Sequence, residues 1–225
     1  MTARKIRLGL VDSGVSEHQA GHIKESCGFS PEGVLPVRPD PLGHGTTVCG
    51  IIRHHAPDIA LYNAQVFDGR GVTTAATVAA ALDWLVTEKV DLINLSLGLV
   101  QDRAVLKAAV SRAIDAGIIL VAASPAQGAA VYPSAYPGVI RATGDARCAT
   151  GEVSFLDSAQ ADFGACPRGL EALGPQRPRI GGASLGTAHL SGQLAACLRA
   201  GGKGENAREW LVSRAKYVHS ERRTE

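Results

Sequence analysis

Ile6-Arg7-Leu8-Gly9-Leu10-Val11-Asp12-Ser13-Gly14 is a short apolar run that ends in a carboxylate and a turn-forming pair. A run of this length and character is typical of a buried strand in a parallel sheet. In open parallel sheets, ligands bind at the carboxyl ends of the strands. The stretch therefore predicts that Asp12 lies at the functional edge of an α/β sheet, although Asp-Ser-Gly is also ordinary turn chemistry.

Strand-like and helix-like segments alternate along most of the chain, which is the pattern of a mainly parallel sheet with helices on both faces. The chain of 225 residues is long enough for one large core, so we expect a single domain over residues 1–225. Residues 141–181 are richer in glycine and proline, and predict short strands and loops. A surface helix from Asn206 and a solvated tail at Arg222-Arg223 follow. The strand-like segments are 6–11, 59–67, 90–97 and 117–123, and the helix-like segments are 46–54, 75–88, 103–116 and 184–199.

Bulk composition argues against several classes of function. The net charge is only +2 and the basic residues are scattered, so no nucleic-acid partner is expected. No apolar run approaches the ~20 residues of a membrane span, and no signal peptide is visible before the first strand. The five cysteines form no Cys-x-x-Cys pair, which favours reduced thiols in a cytoplasmic protein. Neither a zinc spacing nor a carboxylate-rich calcium loop appears, so we expect no metal and no cofactor.

Three short segments carry residues that together can perform acyl transfer. Asp12 ends the first strand, His44 stands in Gly43-His44-Gly45-Thr46, and Ser184 stands in Gly182-Ala183-Ser184-Leu185-Gly186-Thr187-Ala188. Serine is a weak nucleophile unless a base removes its proton and a carboxylate orients that base. Small residues follow Ser184 at helical spacing, so its amide is expected at the positive end of a helix, where an oxyanion would form. The pattern predicts an Asp12-His44-Ser184 catalytic triad.

The order Asp, His, Ser resembles that of the subtilisin-like serine proteases, or subtilases. The resemblance runs nearly from end to end and includes Asp91-Leu-Ile-Asn-Leu-Ser-Leu-Gly98, Gly117-Ile-Ile-Leu-Val-Ala-Ala123 and the two Tyr-Pro pairs that follow. It implies a three-layer subtilisin-like fold and the activity of a serine endopeptidase, a hydrolase. Most secreted subtilases carry a signal peptide and a prodomain, and we expect neither in this chain. It also implies that a protein or peptide substrate binds as an extended strand.

The resemblance places the substrate between two short edges. Ser96, Leu97 and Gly98 match the family's substrate-binding strand, and Gly71 and Val72 belong to the opposing edge. Both segments are small-residue stretches of the kind that can pair with an extended peptide through main-chain groups. A strand-ending turn is the alternative interpretation of Gly98.

Two motifs depart from the family pattern. Typical subtilases read Ala-Ala-Gly-Asn-x-Gly after the strand at 117–123, and the Asn side chain donates to the oxyanion. This chain reads Ala122-Ala123-Ser124-Pro125-Ala126-Gln127-Gly128, with Ala126 in the Asn slot. Gln127 is then the candidate donor, with a solvated loop residue as the alternative. The family's Gly-Thr-Ser-x-Ala-x-Pro also differs, because Ala183, Gly186 and Ala188 occupy the Thr, Ala and Pro positions.

The predicted triad and the departures from the family motifs lead to one leading hypothesis about function and one alternative. The first is an intracellular maturation protease of narrow specificity that removes a leader peptide from a partner protein or peptide precursor. The nearest type by family analogy alone is the cytoplasmic protease that trims the small subunit of quinohemoprotein amine dehydrogenase. The alternative is a catalytically weak or inactive subtilase-like protein that binds a peptide without cutting it. Outside the triad, we expect His54-His55 to be solvated surface and His189 to be a packed or hydrogen-bonded helix residue.

Overall fold

Ten strands form one sheet in the computed structural model, which describes residues 5–170 and 182–219. Part of the predicted loop before Ser184 and the predicted tail at Arg222-Arg223 lie outside these residues. The strands are β1 (Arg7–Asp12), β2 (Ile23–Ser30), β3 (Gly33–Leu35), β4 (Ala60–Gln65), β5 (Leu92–Leu95), β6 (Ile119–Ala123), β7 (Ile140–Gly144), β8 (Val153–Phe155), β9 (Phe163–Ala165) and β10 (Ala215–Val218). The helices are α1 (Glu17–Ala20), α2 (His44–His55), α3 (Ala75–Thr87), α4 (Ala104–Asp115), α5 (Gly182–Arg199) and α6 (Ala207–Arg214).

The sheet is mainly parallel, in the order β10-β8-β9-β7-β6-β5-β1-β4-β2-β3. Strand β1 lies in its middle and pairs in parallel with β4 and β5. Only the pairs β2–β3 and β8–β9 run antiparallel among the described strands. Since neighbouring parallel strands end at one edge, Asp12 at the end of β1 and Ser96 just after β5 share that edge.

Helices cover both faces of the sheet. Buried side chains of α2 and α5, such as Ile52 and Leu194, form one core with Leu8 and Leu10 of β1. On the other face, α3 and α4 pack through residues such as Leu85 with Val11 of the same strand. Successive strand residues point to opposite faces, so β1 serves both cores. The predicted three-layer α/β fold is confirmed.

Several elements differ from the sequence prediction. The hairpin of β2 and β3 was not expected, because residues 23–30 alternate polar and apolar side chains weakly and β3 is exposed throughout. The C-terminal helix ends at Arg214, and β10 then pairs with β8 at the sheet edge. Helix α2 begins at His44 itself. Among the described residues, no helix is long and apolar enough to cross a membrane.

The two helices that carry His44 and Ser184 directly contact main-chain groups of β7 and of the loop that follows β1. A Cβ placed on Gly45 of α2 would lie 2.2 Å from the carbonyl oxygen of Gly14. A Cβ on Gly186 of α5 would lie 2.2 Å from the carbonyl oxygen of Thr143. Both distances are far inside van der Waals contact, so only glycine allows these approaches.

Candidate active site

Asp12 and His44 form a direct pair at the carboxyl edge of the sheet. The Nδ1 atom of His44 lies 2.7 Å from Oδ1 of Asp12, whose side chain is fully buried. The same oxygen accepts the amide of Ser13 at 2.7 Å. A carboxylate can only accept, so Nδ1 carries the proton and Nε2 of His44 is left as the basic nitrogen. This is the orientation that a general base for serine requires.

Opposing effects set the pKa of His44. Burial lowers it, but the charge of Asp12, the hydrogen bond to Asp12 and the charge of Asp40 raise it, and the net pKa lies above the ordinary value of 6.5. The imidazolium formed during proton transfer is therefore favoured in this site.

Ser184 lies in the first turn of α5, beside the residue that follows β5. Its hydroxyl donates to the Ser96 carbonyl oxygen at 3.2 Å, and the Ser96 hydroxyl donates to the Ser184 carbonyl oxygen at 3.1 Å. The hydrogen bonds between described residues include none from Ser184 to His44. Nucleophile and base often approach more closely once substrate binds. The first amides of a helix have no partner within the helix, so the Ser184 amide is placed to stabilise negative charge.

A buried hydrogen-bond chain lies behind Ser184, and the sequence reasoning missed it. Ser191 of α5 donates to Oδ1 of Asn94 at 2.9 Å. Nδ2 of Asn94 donates to the Ser96 hydroxyl, also at 2.9 Å. Asn94 and Ser191 are completely buried. A polar residue inside an otherwise apolar strand must find a partner, and this was the available signal in the sequence.

The residues of the two predicted substrate edges differ in their exposure and in the use of their main-chain groups. Ser96 and Leu97 are buried, whereas Gly98 is exposed. Leu99 then forms an antiparallel bridge with Tyr132. On the opposing side, Val72 uses both of its main-chain groups within a turn, since its amide donates to the Asp68 carboxylate and its carbonyl accepts the Asp68 amide.

In that turn the Gly71 amide also donates to the Asp68 carbonyl. Pairing of a peptide with Gly71 and Val72 stays a prediction. It would require the turn to open, or the peptide to pair with main-chain groups that the turn does not use.

Gln127 is exposed in the loop after β6. It lines a cleft of about 620 Å³ together with residues of β7 and the following turn, among them Gly144 and Asp145. Gly144 packs against Gly182, because a Cβ on Gly144 would lie 2.6 Å from the Gly182 carbonyl oxygen. The cleft therefore adjoins the start of α5, and the oxyanion role of Gln127 stays a prediction.

Of the three histidines outside the triad for which we stated an expectation from the sequence, two lie as expected and one does not. His54 is exposed, but His55 is half-buried, so the expectation of solvated surface is wrong for His55. The reason is its position at the end of α2 facing α5, where Nε2 of His55 lies 2.9 Å from Nδ1 of His189. His189 is fully buried and its Nε2 donates to the Arg168 carbonyl oxygen at 2.9 Å, which confirms the packed, hydrogen-bonded role. Within residues 5–170 and 182–219, no group of three or more His, Cys, Asp or Glu residues is placed to hold a metal ion.

Comparison with known proteins places this geometry in a family. The model of the Subtilase family matches residues 3–223. The chain is similar to subtilisin of Bacillus pumilus, with 29% identity over 97% of this chain and 86% of that protein. It is similar to subtilisin E of Bacillus subtilis (strain 168), with 28% identity over 96% of this chain and 62% of that protein. It is also similar to the minor extracellular protease Epr of the same strain, with 32% identity over 62% of this chain. The chain spans 62% of subtilisin E, and its match to Epr covers 23% of that protein. This chain belongs to the subtilase family of subtilisin-like serine proteases.

Proposed function

We propose that this protein is an intracellular serine endopeptidase of narrow specificity, acting through Asp12, His44 and Ser184. The observation that carries the proposal is the 2.7 Å contact between His44 and buried Asp12 at the sheet edge where Ser184 opens α5. His44 takes the hydroxyl proton as Ser184 attacks the scissile carbonyl carbon, and returns it to the leaving amine. Water then releases the acyl group by the same steps in reverse. The Ser184 amide stabilises the oxyanion, with Gln127 as the candidate second donor.

The substrate we propose is a protein or peptide precursor whose leader segment binds as an extended strand beside Ser96, Leu97 and Gly98. Main-chain pairing accepts many sequences, so narrow specificity has to come from side-chain subsites. A site without the family's Asn donor is suited to slow cleavage of a dedicated partner. By analogy alone, the maturation protease of quinohemoprotein amine dehydrogenase is the type with this task.

The cysteines support an intracellular location. All five are free, and Cys49, Cys148 and Cys166 are buried in the core. Burial raises the pKa of Cys49 to about 12 and that of Cys148 to about 11, so these thiols are unreactive packing groups. A reducing compartment preserves free thiols in this state.

The test of the proposed function is cleavage of a leader-type precursor by purified wild type and Ser184→Ala. We expect the variant to keep its fold and to lose cleavage by several orders of magnitude, because nucleophile and scaffold are separable. Ser213→Ala is the matched control, since Ser213 is an exposed serine on α6. Retained cleavage by Ser184→Ala would remove this residue from the mechanism.

Two observations favour a second candidate, a peptide-binding protein that does not cut. The Ser184 hydroxyl donates its hydrogen bond to the Ser96 carbonyl oxygen, and Gln127 is exposed. An active-site-directed fluorophosphonate separates the two candidates. Labelling of wild type that disappears in Ser184→Ala supports the protease, and absence of labelling supports the binding protein.

A further inference from the structure

Asp40 is an acidic residue outside the triad that the sequence reasoning did not single out. It stands four residues before His44, in the loop that leads into α2. Its Oδ1 accepts the amides of Leu42 at 3.0 Å and Gly43 at 2.9 Å. Its Oδ2 accepts the amide and the hydroxyl of Thr46 at 2.9 and 2.7 Å. One carboxylate thus holds the backbone on both sides of His44.

A further contact joins Asp40 to the Asp12 end of the site. The Ser13 hydroxyl lies 2.8 Å from Oδ1 of Asp40 and 3.2 Å from Oδ1 of Asp12. The same hydroxyl accepts the Gly45 amide at 3.0 Å. A hydroxyl has one proton, and the shorter distance assigns it to Asp40. Ser13 therefore links the end of β1, the first turn of α2 and the Asp40 carboxylate.

Asp40 accepts more hydrogen bonds than a helix cap needs. A capping side chain satisfies one or two of the unpaired amides at a helix start. Asp40 accepts hydrogen bonds from three amides and two hydroxyls, and all of these donors except the Ser13 hydroxyl lie within two residues of His44 in the chain. The carboxylate also adds a second negative charge that acts on His44, besides that of Asp12.

We propose that Asp40 is a positioning residue for His44, which fixes the imidazole against Asp12 and stabilises its protonated form electrostatically. The inference rests on the proposed function only in that His44 is the base. The direction of the His44 pKa supports it. Burial, the largest effect, lowers this pKa, whereas the charge and hydrogen bond of Asp12 and then the charge of Asp40 raise it. Among the described residues, the carboxylates whose charges act on His44 are those of Asp12 from β1 and Asp40 from the preceding loop.

The experiment compares Asp40→Asn and Asp40→Ser with wild type. Both variants remove the charge, and asparagine keeps one side-chain oxygen that can still accept hydrogen bonds. The control is Asp58→Asn, which removes an exposed carboxylate paired with Arg199 beyond the other end of α2. The pKa of His44 is measured by NMR titration of ¹³C-histidine-labelled protein, and the rate of fluorophosphonate reaction is followed against pH.

We expect the His44 pKa, and with it the acid limb of the reaction rate, to move to lower pH in both Asp40 variants and to stay unchanged in Asp58→Asn. The plateau rate falls about two- to fivefold, the equivalent of a partly screened charge interaction. An unchanged His44 pKa in a folded Asp40 variant would overturn the inference and leave Asp40 a structural cap. The NMR titration needs no catalysis, so it holds even where leader cleavage fails and the proposed function falls.

Discussion

The buried hydrogen bonds behind Ser184 give a quantitative prediction for Ser191→Ala. The substitution removes the hydroxyl that donates to Oδ1 of Asn94 at 2.9 Å, at a site with no exposure to solvent. A buried acceptor left without a partner costs about 1–3 kcal/mol of folding free energy. For a chain of this size, that range corresponds to a fall in Tm of roughly 2–12 °C.

The same substitution should affect catalysis through position. Asn94 holds the Ser96 hydroxyl, and Ser96 exchanges two hydrogen bonds with Ser184. When Asn94 loses Ser191, Ser184 is held less firmly, so we expect kcat to fall while KM stays near its wild-type value.

The assay combines urea unfolding with steady-state kinetics on one leader-type peptide. Ser213→Ala is the control, because that hydroxyl is exposed, and its unfolding free energy should stay within about 0.5 kcal/mol of wild type. A double-mutant cycle with Asn94→Ala isolates the coupling between the two side chains. A loss below about 0.5 kcal/mol in Ser191→Ala, with no coupling, would refute the reasoning, since it would mean that Asn94 finds another donor.

Three other predictions concern the oxyanion donor, metals and pH. If the Gln127 side-chain amide donates to the oxyanion, Gln127→Ala should lower kcat by roughly 10- to 1000-fold with little change in KM. If kcat is unchanged in Gln127→Ala and higher in Ala126→Asn, the Ser184 amide is the only oxyanion donor in the wild type. EDTA should leave kcat/KM and Tm unchanged, and a large fall in either would reveal a metal site. Burial, followed by the neighbouring histidines, lowers the pKa of His55 to about 4, so stability present above pH 6.5 is lost as pH falls from 6.5 towards 4. His55→Gln can still donate to His189 and should flatten that loss in Tm, whereas parallel profiles would contradict the assignment.

The sequence predicted the elements whose signal is local. The apolar run before Asp12 and the small-residue helix after Ser184 identified β1 and α5, because burial on both faces of a sheet and close helix packing impose recognisable residue types. The exposed strand β3 has no such constraint, so no pattern marked it.

The candidate site was predictable as a set of residues but not as a network. The triad order pointed to Asp12 and His44, and the structure joins them. The bond between Ser184 and Ser96 spans 88 positions in the chain, and that between Ser191 and Asn94 spans 97. Such contacts depend on how α5 lies across β5, which local residue patterns do not encode. Asp40 was missed because its role depends on the turn that brings its carboxylate back to Thr46.

Gly45 and Gly186 have a consequence for how this protein can evolve. A Cβ on either glycine would lie 2.2 Å from a main-chain carbonyl oxygen, that of Gly14 after β1 or that of Thr143 in β7, so neither neighbour can yield by rotating a side chain. In a saturation library screened for folded protein, these two positions should accept no other amino acid. The distance between the main chains that carry His44 and Ser184 then stays constant as the sequence changes. New substrate preferences have to arise in the surrounding loops, where substitutions do not change that distance.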